Sequence, residues 1–286
     1  IGKRLLPLLL QEGHEVECCV RNKERFSVPE LHTGRTEVLE VDFLEDKSVD
    51  ALPKDIDAAY FLIHSMSGNK DSFDIKEERT AINFREGLNR TNARHLIYIS
   101  GIINDDKLSK HLESRKRVEE LLHSGDFHAT TLRAGIIVVS GSASFEIIRD
   151  LVEKLPIMVA PKWLNTLCQP IGVSDVLSCL VKSLDKEELY DQNFDIGGPD
   201  ILTYREMLLQ FAEVRKLKRW IFTVPVMTPR LSSYWLYFVT STSYALATSL
   251  VDSMKVKVVC RNDKLVKLLD VQPLSYKDAV KRAFTK

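Results

Sequence analysis

Short apolar strands separated by helix-like segments set the terms for this chain. Residues 16–20, 38–41, 57–63, 95–100 and 128–133 each read as a strand. Residues 2–12 read as a helix, with Leu5, Leu8 and Leu9 on one side and Gly13 stopping it. Pro7 falls in its first two turns, where a missing N–H costs least. Residues 72–92 and 109–124 supply two more helices, and 57–63 has the continuous apolar character of a buried parallel strand. Strands recur with helices at a spacing of roughly 25–35 residues, which implies βαβ units and a mostly parallel sheet. The fold class is α/β.

Beyond Gly141 the rhythm loosens. Residues 144–155 and 173–183 read as amphipathic helices, and 194–196 as a late strand ending at Gly197-Gly198-Pro199. Thr203 is a candidate N-cap for a helix over 204–214, with Glu206 in the capping-box position. This suggests a sheet domain over 1–140 and a smaller, mostly helical substrate-pocket part over 141–286, with 170–200 returning to the sheet. An uncharged run, 231–251, is long enough to cross a bilayer. Eight of its 21 positions are Ser or Thr, so a buried helix pair or the wall of a substrate cavity is expected instead of a membrane span.

Composition narrows the function classes. Forty Lys and Arg against forty Asp and Glu give a net charge of zero, so no global basic field draws the chain to DNA or an anionic surface. Cys18, Cys19, Cys168, Cys179 and Cys260 are odd in number and lack C-x-x-C spacing. They read as structural thiols, with Cys18 and Cys19 buried in a strand. A reducing compartment is implied, cytoplasm or an organelle matrix. His14, His32, His95, His123 and His128 lack metal-site spacing, and no metal is expected.

Ile1-Gly2 followed by Lys3-Arg4-Leu5-Leu6 resembles the end of the G-x-x-G-x-x-G fingerprint of extended short-chain dehydrogenases, with Gly2 as its third glycine. Val41-Asp42-Phe43 resembles the adenine-edge motif of that superfamily, Leu132-Arg133-Ala134-Gly135 its L-R-P-G segment, and Asp195 to Pro199 its late G-G motif. Leu108 to Arg115 and Leu231 to Trp235 are similar to the atypical branch: NmrA-like proteins, nucleoside-diphosphate-sugar epimerase-like proteins and the complex I 39-kDa subunit. The resemblance implies a Rossmann-type doubly wound sheet and an NAD(P)-binding, oxidoreductase-like protein. Its cofactor contacts would come from Gly2, Arg21, Asp42, Phe43, His64, Ser65, Met66, Ser100, Gly101, Ala134 and Gly135. Arg21, where an acid would read the ribose 2′-OH of NAD, favours the 2′-phosphate of NADP over NAD. It also implies an N-terminally truncated chain, whose sheet lacks its first strand, with a gap between the strand at Val16 and the one at Asp57. Such a chain alone is expected to bind dinucleotide poorly.

Active members carry a Tyr, a Lys four residues later and a Ser or Thr at the end of the fifth strand. Here His111 and Arg115 stand at the matching helix positions, and the serine position is Gly101, with Ser100 beside it. His111, Arg115 and Ser100 are therefore the catalytic candidates. Histidine titrates near neutrality and can donate a proton, whereas arginine will not. The pair can equally hold a cofactor ribose or substrate anion, or form a polar helix face. His64 flanks the nicotinamide or is an ordinary loop histidine. Ser142-Ala143-Ser144 lines a pocket or forms a turn. The alternatives to an enzyme are a non-catalytic NAD(P) sensor and an accessory or assembly subunit of a larger complex. Dinucleotide and a small-molecule substrate are the expected partners, with no nucleic acid.

Overall fold

A computed structural model describes residues 1–27, 34–63, 70–104, 110–224 and 254–285. The chain divides into two compact units, one built from 1–100, 114–132 and 177–193, the other from 101–113, 133–176 and 194–286.

The first unit begins with helix α1 (Gly2–Gln11), which buries Leu5, Leu6, Leu9 and Leu10. Strand β1 (Val16–Val20) follows and pairs in parallel with β2 (Thr36–Glu40), Val16 opposite Thr36 and Val20 opposite Glu40. Next come β3 (Ala58–Phe61), α2 (Lys70–Leu88), β4 (His95–Gly101), α3 (Lys110–Leu122) and β5 (His128–Ala134). With β10 (Gln192–Ile196), three of these strands form a four-stranded sheet in the order β10-β5-β4-β3. β3 runs parallel to β4, Ala58 opposite His95 and Phe61 opposite Tyr98. Among the described residues, β1–β2 is a separate ladder with no strand joining it to β3.

Burial follows from that layout. β4 lies between two strands and is buried at His95, Leu96, Ile97, Tyr98 and Ser100. α2 turns Glu77, Thr80, Ala81, Phe84 and Leu88 inward, an i, i+3, i+4 stripe. Phe84 meets Phe43 at 5.2 Å and Phe61 at 4.9 Å, and Phe61 meets Tyr98 at 5.6 Å. Cys18 and Cys19 depart from expectation, being half-buried and exposed. The reason is local: β1 pairs only with β2 among the described residues, so no second neighbour covers it.

In the second unit, α4 (Ala143–Lys154), α6 (Tyr204–Val214) and α8 (Tyr276–Phe284) share a core that includes Phe145, Leu151, Met207, Phe211 and Val280. Phe145, Phe211 and Phe284 form a ring triangle with centroids 5.5–5.6 Å apart. The expected capping box is present: Glu206 N donates to Thr203 Oγ1 (3.1 Å) and Thr203 N donates to Glu206 Oε2 (2.7 Å). Gly198 N donates to Pro170 O at 2.9 Å, and a Cβ on Gly198 would lie 2.5 Å from that carbonyl, so only glycine fits this late Gly-Gly turn. Short ladders join β6 (Ile137–Val138) to β9 (Ile171–Gly172), β8 (Leu167–Cys168) to β11 (Leu202–Thr203) and β7 (Ile157–Pro161) to β12 (Trp220–Val224). α5 (Val173–Lys182) and α7 (Lys264–Leu268) complete the described elements. The uncharged run 231–251 lies outside the described residues, and no described helix is long and apolar enough to cross a membrane.

Candidate functional site

Ser142, in the stretch read as a pocket lining or a turn, caps α4: its hydroxyl accepts from Phe145 N at 3.3 Å. The polar groups with a site-like arrangement gather at the carboxyl end of β3 and β4. α1 starts at Gly2, and the position of a Cβ on Gly2 lies 3.8 Å from Leu62 Cδ1, just past β3. The first turn of α1 carries no acid and no side-chain cap, while Lys3 and Arg4 are exposed. A helix N-terminus of this kind presents free N–H groups and a positive dipole end to an anion.

One residue beyond Leu62, Ile63 helps line a cleft of about 240 Å³, open mouth included, with Phe61, Glu77, Thr80, Tyr98, Arg115 and Val118. Arg115, in the second turn of α3, donates through Nη1 to Tyr98 Oη (3.2 Å) and Ile99 O (3.4 Å). Ser114 Oγ donates to Glu77 Oε2 at 2.7 Å, both residues being buried. The guanidinium is thus held over the last residues of β4, with a buried carboxylate lining the same cleft.

Ser100 is the group near this cleft whose hydroxyl has no hydrogen-bond partner among the described residues. It is 6% exposed. Leaving a buried hydroxyl unpaired costs about 1–3 kcal/mol, so such an atom calls for an explanation. Strand alternation puts Ser100 on the face of β4 that carries Tyr98, the side chain to which Arg115 is bonded. A ligand carbonyl, amide or hydroxyl reaching the end of β4 would satisfy it.

The remaining sequence candidates are placed as follows. Arg21 is exposed directly after β1. Asp42 Oδ1 accepts from Leu44 N (3.0 Å), an Asx-type turn after β2. The Phe43 ring is in the core, and its carbonyl accepts from Asn83 Nδ2 at 2.9 Å. In the second unit, a Cβ on Gly101 would lie 3.2 Å from Leu112 Cδ2. There too, Ala134 O accepts from Ile102 N, and a Cβ on Gly135 would lie 3.1 Å from both Gln169 O and Val258 Cγ1. His111 lies in the first turn of α3, where only its backbone is described, and His64, Ser65 and Met66 fall outside the described residues. Glu77, Ser114 and Tyr98 were not singled out by sequence. A glutamate within a charge-rich helix and a tyrosine within an apolar strand carry no signal of their own. Among the described residues, no group of three or more His, Cys, Asp or Glu could hold a metal ion.

A parallel sheet with a helix N-terminus and an unsatisfied serine at its carboxyl end defines a dinucleotide-binding architecture of the Rossmann type. A family model described as NAD(P)H-binding matches residues 1–150, and the chain belongs to that family. Its cofactor is a nicotinamide dinucleotide, NAD or NADP. Among curated proteins, no sequence matches the chain significantly. Similar solved structures include a nucleoside-diphosphate-sugar epimerase from Staphylococcus aureus (15% identity, TM-score 0.78, covering 98% of this chain and 95% of that one). A second is an NADPH-dependent quinone oxidoreductase from Escherichia coli, complexed with NADPH (14%, 0.78, 99% and 96%). A third is the triphenylmethane reductase of Citrobacter sp. (16%, 0.79, 100% and 96%). At these identities the likeness is one of fold.

Proposed function

We propose that the protein is an NADP(H)-dependent reductase that works without a Tyr-x-x-x-Lys pair. The unpaired, buried Ser100 hydroxyl at the end of β4 is the observation that carries this reading. The dinucleotide, when bound, supplies a hydride. The chain's own residues do the rest. The N-terminus of α1 receives the pyrophosphate, and Arg21 pairs with a ribose 2′-phosphate, favouring NADP. Asp42 accepts from the adenine edge. Ser100 donates a hydrogen bond to the oxygen of a carbonyl-type acceptor. Arg115, a poor proton shuttle already bonded to Tyr98 and Ile99, positions the end of β4. His111 is the side chain on α3 able to exchange a proton near neutral pH. The NADPH-bound quinone oxidoreductase and the dye reductase among the structural neighbours support reduction as the reaction type. The free thiols fit a reducing compartment, cytoplasm or organelle matrix.

A second reading, a non-catalytic NAD(P) sensor or accessory subunit, draws on Gly101 at the serine position and His111 and Arg115 at the Tyr and Lys positions. Fluorescence titration with NADPH and NADH, followed by a screen of carbonyl and quinone acceptors, separates the two. NADPH binding tighter than NADH, with turnover lowered in His111→Ala, is the expected result. Binding without turnover, unchanged in His111→Ala, establishes the sensor. No binding of either dinucleotide removes both, and tighter NADH binding removes the role given to Arg21.

A further inference from the structure

Among the described residues, the second unit exposes an apolar face. β7 and β12 run parallel, Trp220 opposite Ile157 and Phe222 opposite Val159. Met158, Ala160 and Ile221 point to the core, so alternation sends the other four outward. Ile157 is 58% exposed, Val159 50%, Trp220 55% and Phe222 58%. Four large apolar side chains, paired across two adjacent strands, form a contiguous patch and not the scattered exposure that needs no explanation.

Two exposed lysines border the patch. Lys218 is exposed two residues before Trp220, and Lys162 is exposed directly after β7. Arg215 and Arg219 are engaged instead with Glu153 and with the carbonyls of Val152 and Glu153. The sequence has no Asp or Glu from 154 to 174, nor from 214 to 224. An apolar patch containing Trp, bordered by lysines with no acidic partner among the described residues, matches a surface that is anionic outside and apolar just beneath. We propose that the β7–β12 face docks on the surface of an anionic lipid bilayer, with Trp220 and Phe222 entering the headgroup region and Lys162 and Lys218 meeting lipid phosphates. A net charge of zero removes a global attraction, but membrane attraction is set by the cations within a Debye length of the surface. The proposal does not depend on dinucleotide binding.

Co-sedimentation of the full chain with vesicles tests it. Binding to mixed phosphatidylcholine–phosphatidylserine vesicles at low salt is expected, with much weaker binding to phosphatidylcholine alone. Trp220→Ser with Phe222→Ser, or Lys162→Glu with Lys218→Glu, each lowers the anionic-vesicle affinity roughly tenfold or more. Both lysines are exposed, so their variant stays decisive should the apolar one fold poorly. Absence of pelleting, equal pelleting with both vesicle types, or unchanged binding in the lysine variant overturns the proposal. So does a salt-insensitive dimer in sedimentation velocity that Trp220→Ser with Phe222→Ser dissociates, since a second copy would then cover the face.

Discussion

The imidazole of His95 is fully buried, and its tautomer follows from its neighbours. Thr130 Oγ1 donates to Leu189 O (2.8 Å), leaving it only lone pairs for His95 Nε2 at 2.9 Å. Nε2 therefore carries the proton, and Nδ1 is a bare acceptor with no hydrogen-bond partner. Burial pushes the pKa down to about 4, against an opposing pull from Asp185. Because the folded value lies below the unfolded one of about 6.5, the neutral form stabilises the fold fully above pH 6.5. That contribution is lost as pH falls from 6.5 towards 4 and amounts to about 3 kcal/mol at most. Urea unfolding across this range should show the loss, and His95→Gln should flatten the curve there. Ser100 makes the opposite kind of prediction. In Ser100→Ala the ligand-free protein keeps its melting temperature or gains slightly, because an unpaired hydroxyl is removed. Turnover should fall by about ten- to a hundredfold, from the loss of one oriented donor. A large drop in melting temperature would show that the hydroxyl has a structural partner after all.

At the scale of elements, legibility tracked periodicity. β1, β4, β5 and α6 have sequences whose spacing exceeds the noise of a short window, and their expected and observed limits agree within two residues. The ladders β6–β9 and β8–β11 are two residues long, and no period exists at that length. β7 does alternate, but its exposed positions are Ile157 and Val159, so inside and outside look alike in sequence. The capping box of α6 was readable because Thr203 and Glu206 are local to each other. The Ser114–Glu77 bond was not, since its partners are 37 residues apart and meet only after the sheet has formed. Thr203→Ala should cost about 1 kcal/mol in chemical denaturation, the usual size of a lost N-cap. Thr203→Ser should cost much less, as it keeps the oxygen that accepts from Glu206 N.

For the molecule as a whole, dinucleotide binding and folding stability are linked. NADPH at a hundred times its Kd should raise the unfolding free energy by about 2.7 kcal/mol, seen as a higher melting temperature. NADH at the same concentration should raise it less, and Arg21→Glu should bring the NADPH effect down to that of NADH. Equal shifts in the wild-type protein would show that Arg21 does not read the 2′-phosphate. Fold class and cofactor class were legible because they rest on the order of many segments. The site was less so, since the burial of Ser100 and the hold of Arg115 on Tyr98 arise only when β4 and α3 pack.

The order β10-β5-β4-β3 sets a gradient in how long backbone protons survive in heavy water. Amides of Leu96 and Ile97, both fully buried on a strand with a neighbour on each side, can exchange only through sub-global opening. β3 closes the described ladder on one side, so its exchange needs no more than the loss of a single row of bonds. The rim of the candidate cleft, Phe61 and Ile63, is therefore built on and just beyond an edge strand of the described sheet. Ligand capture there can draw on fraying at β3 while the floor beneath, β4, stays intact.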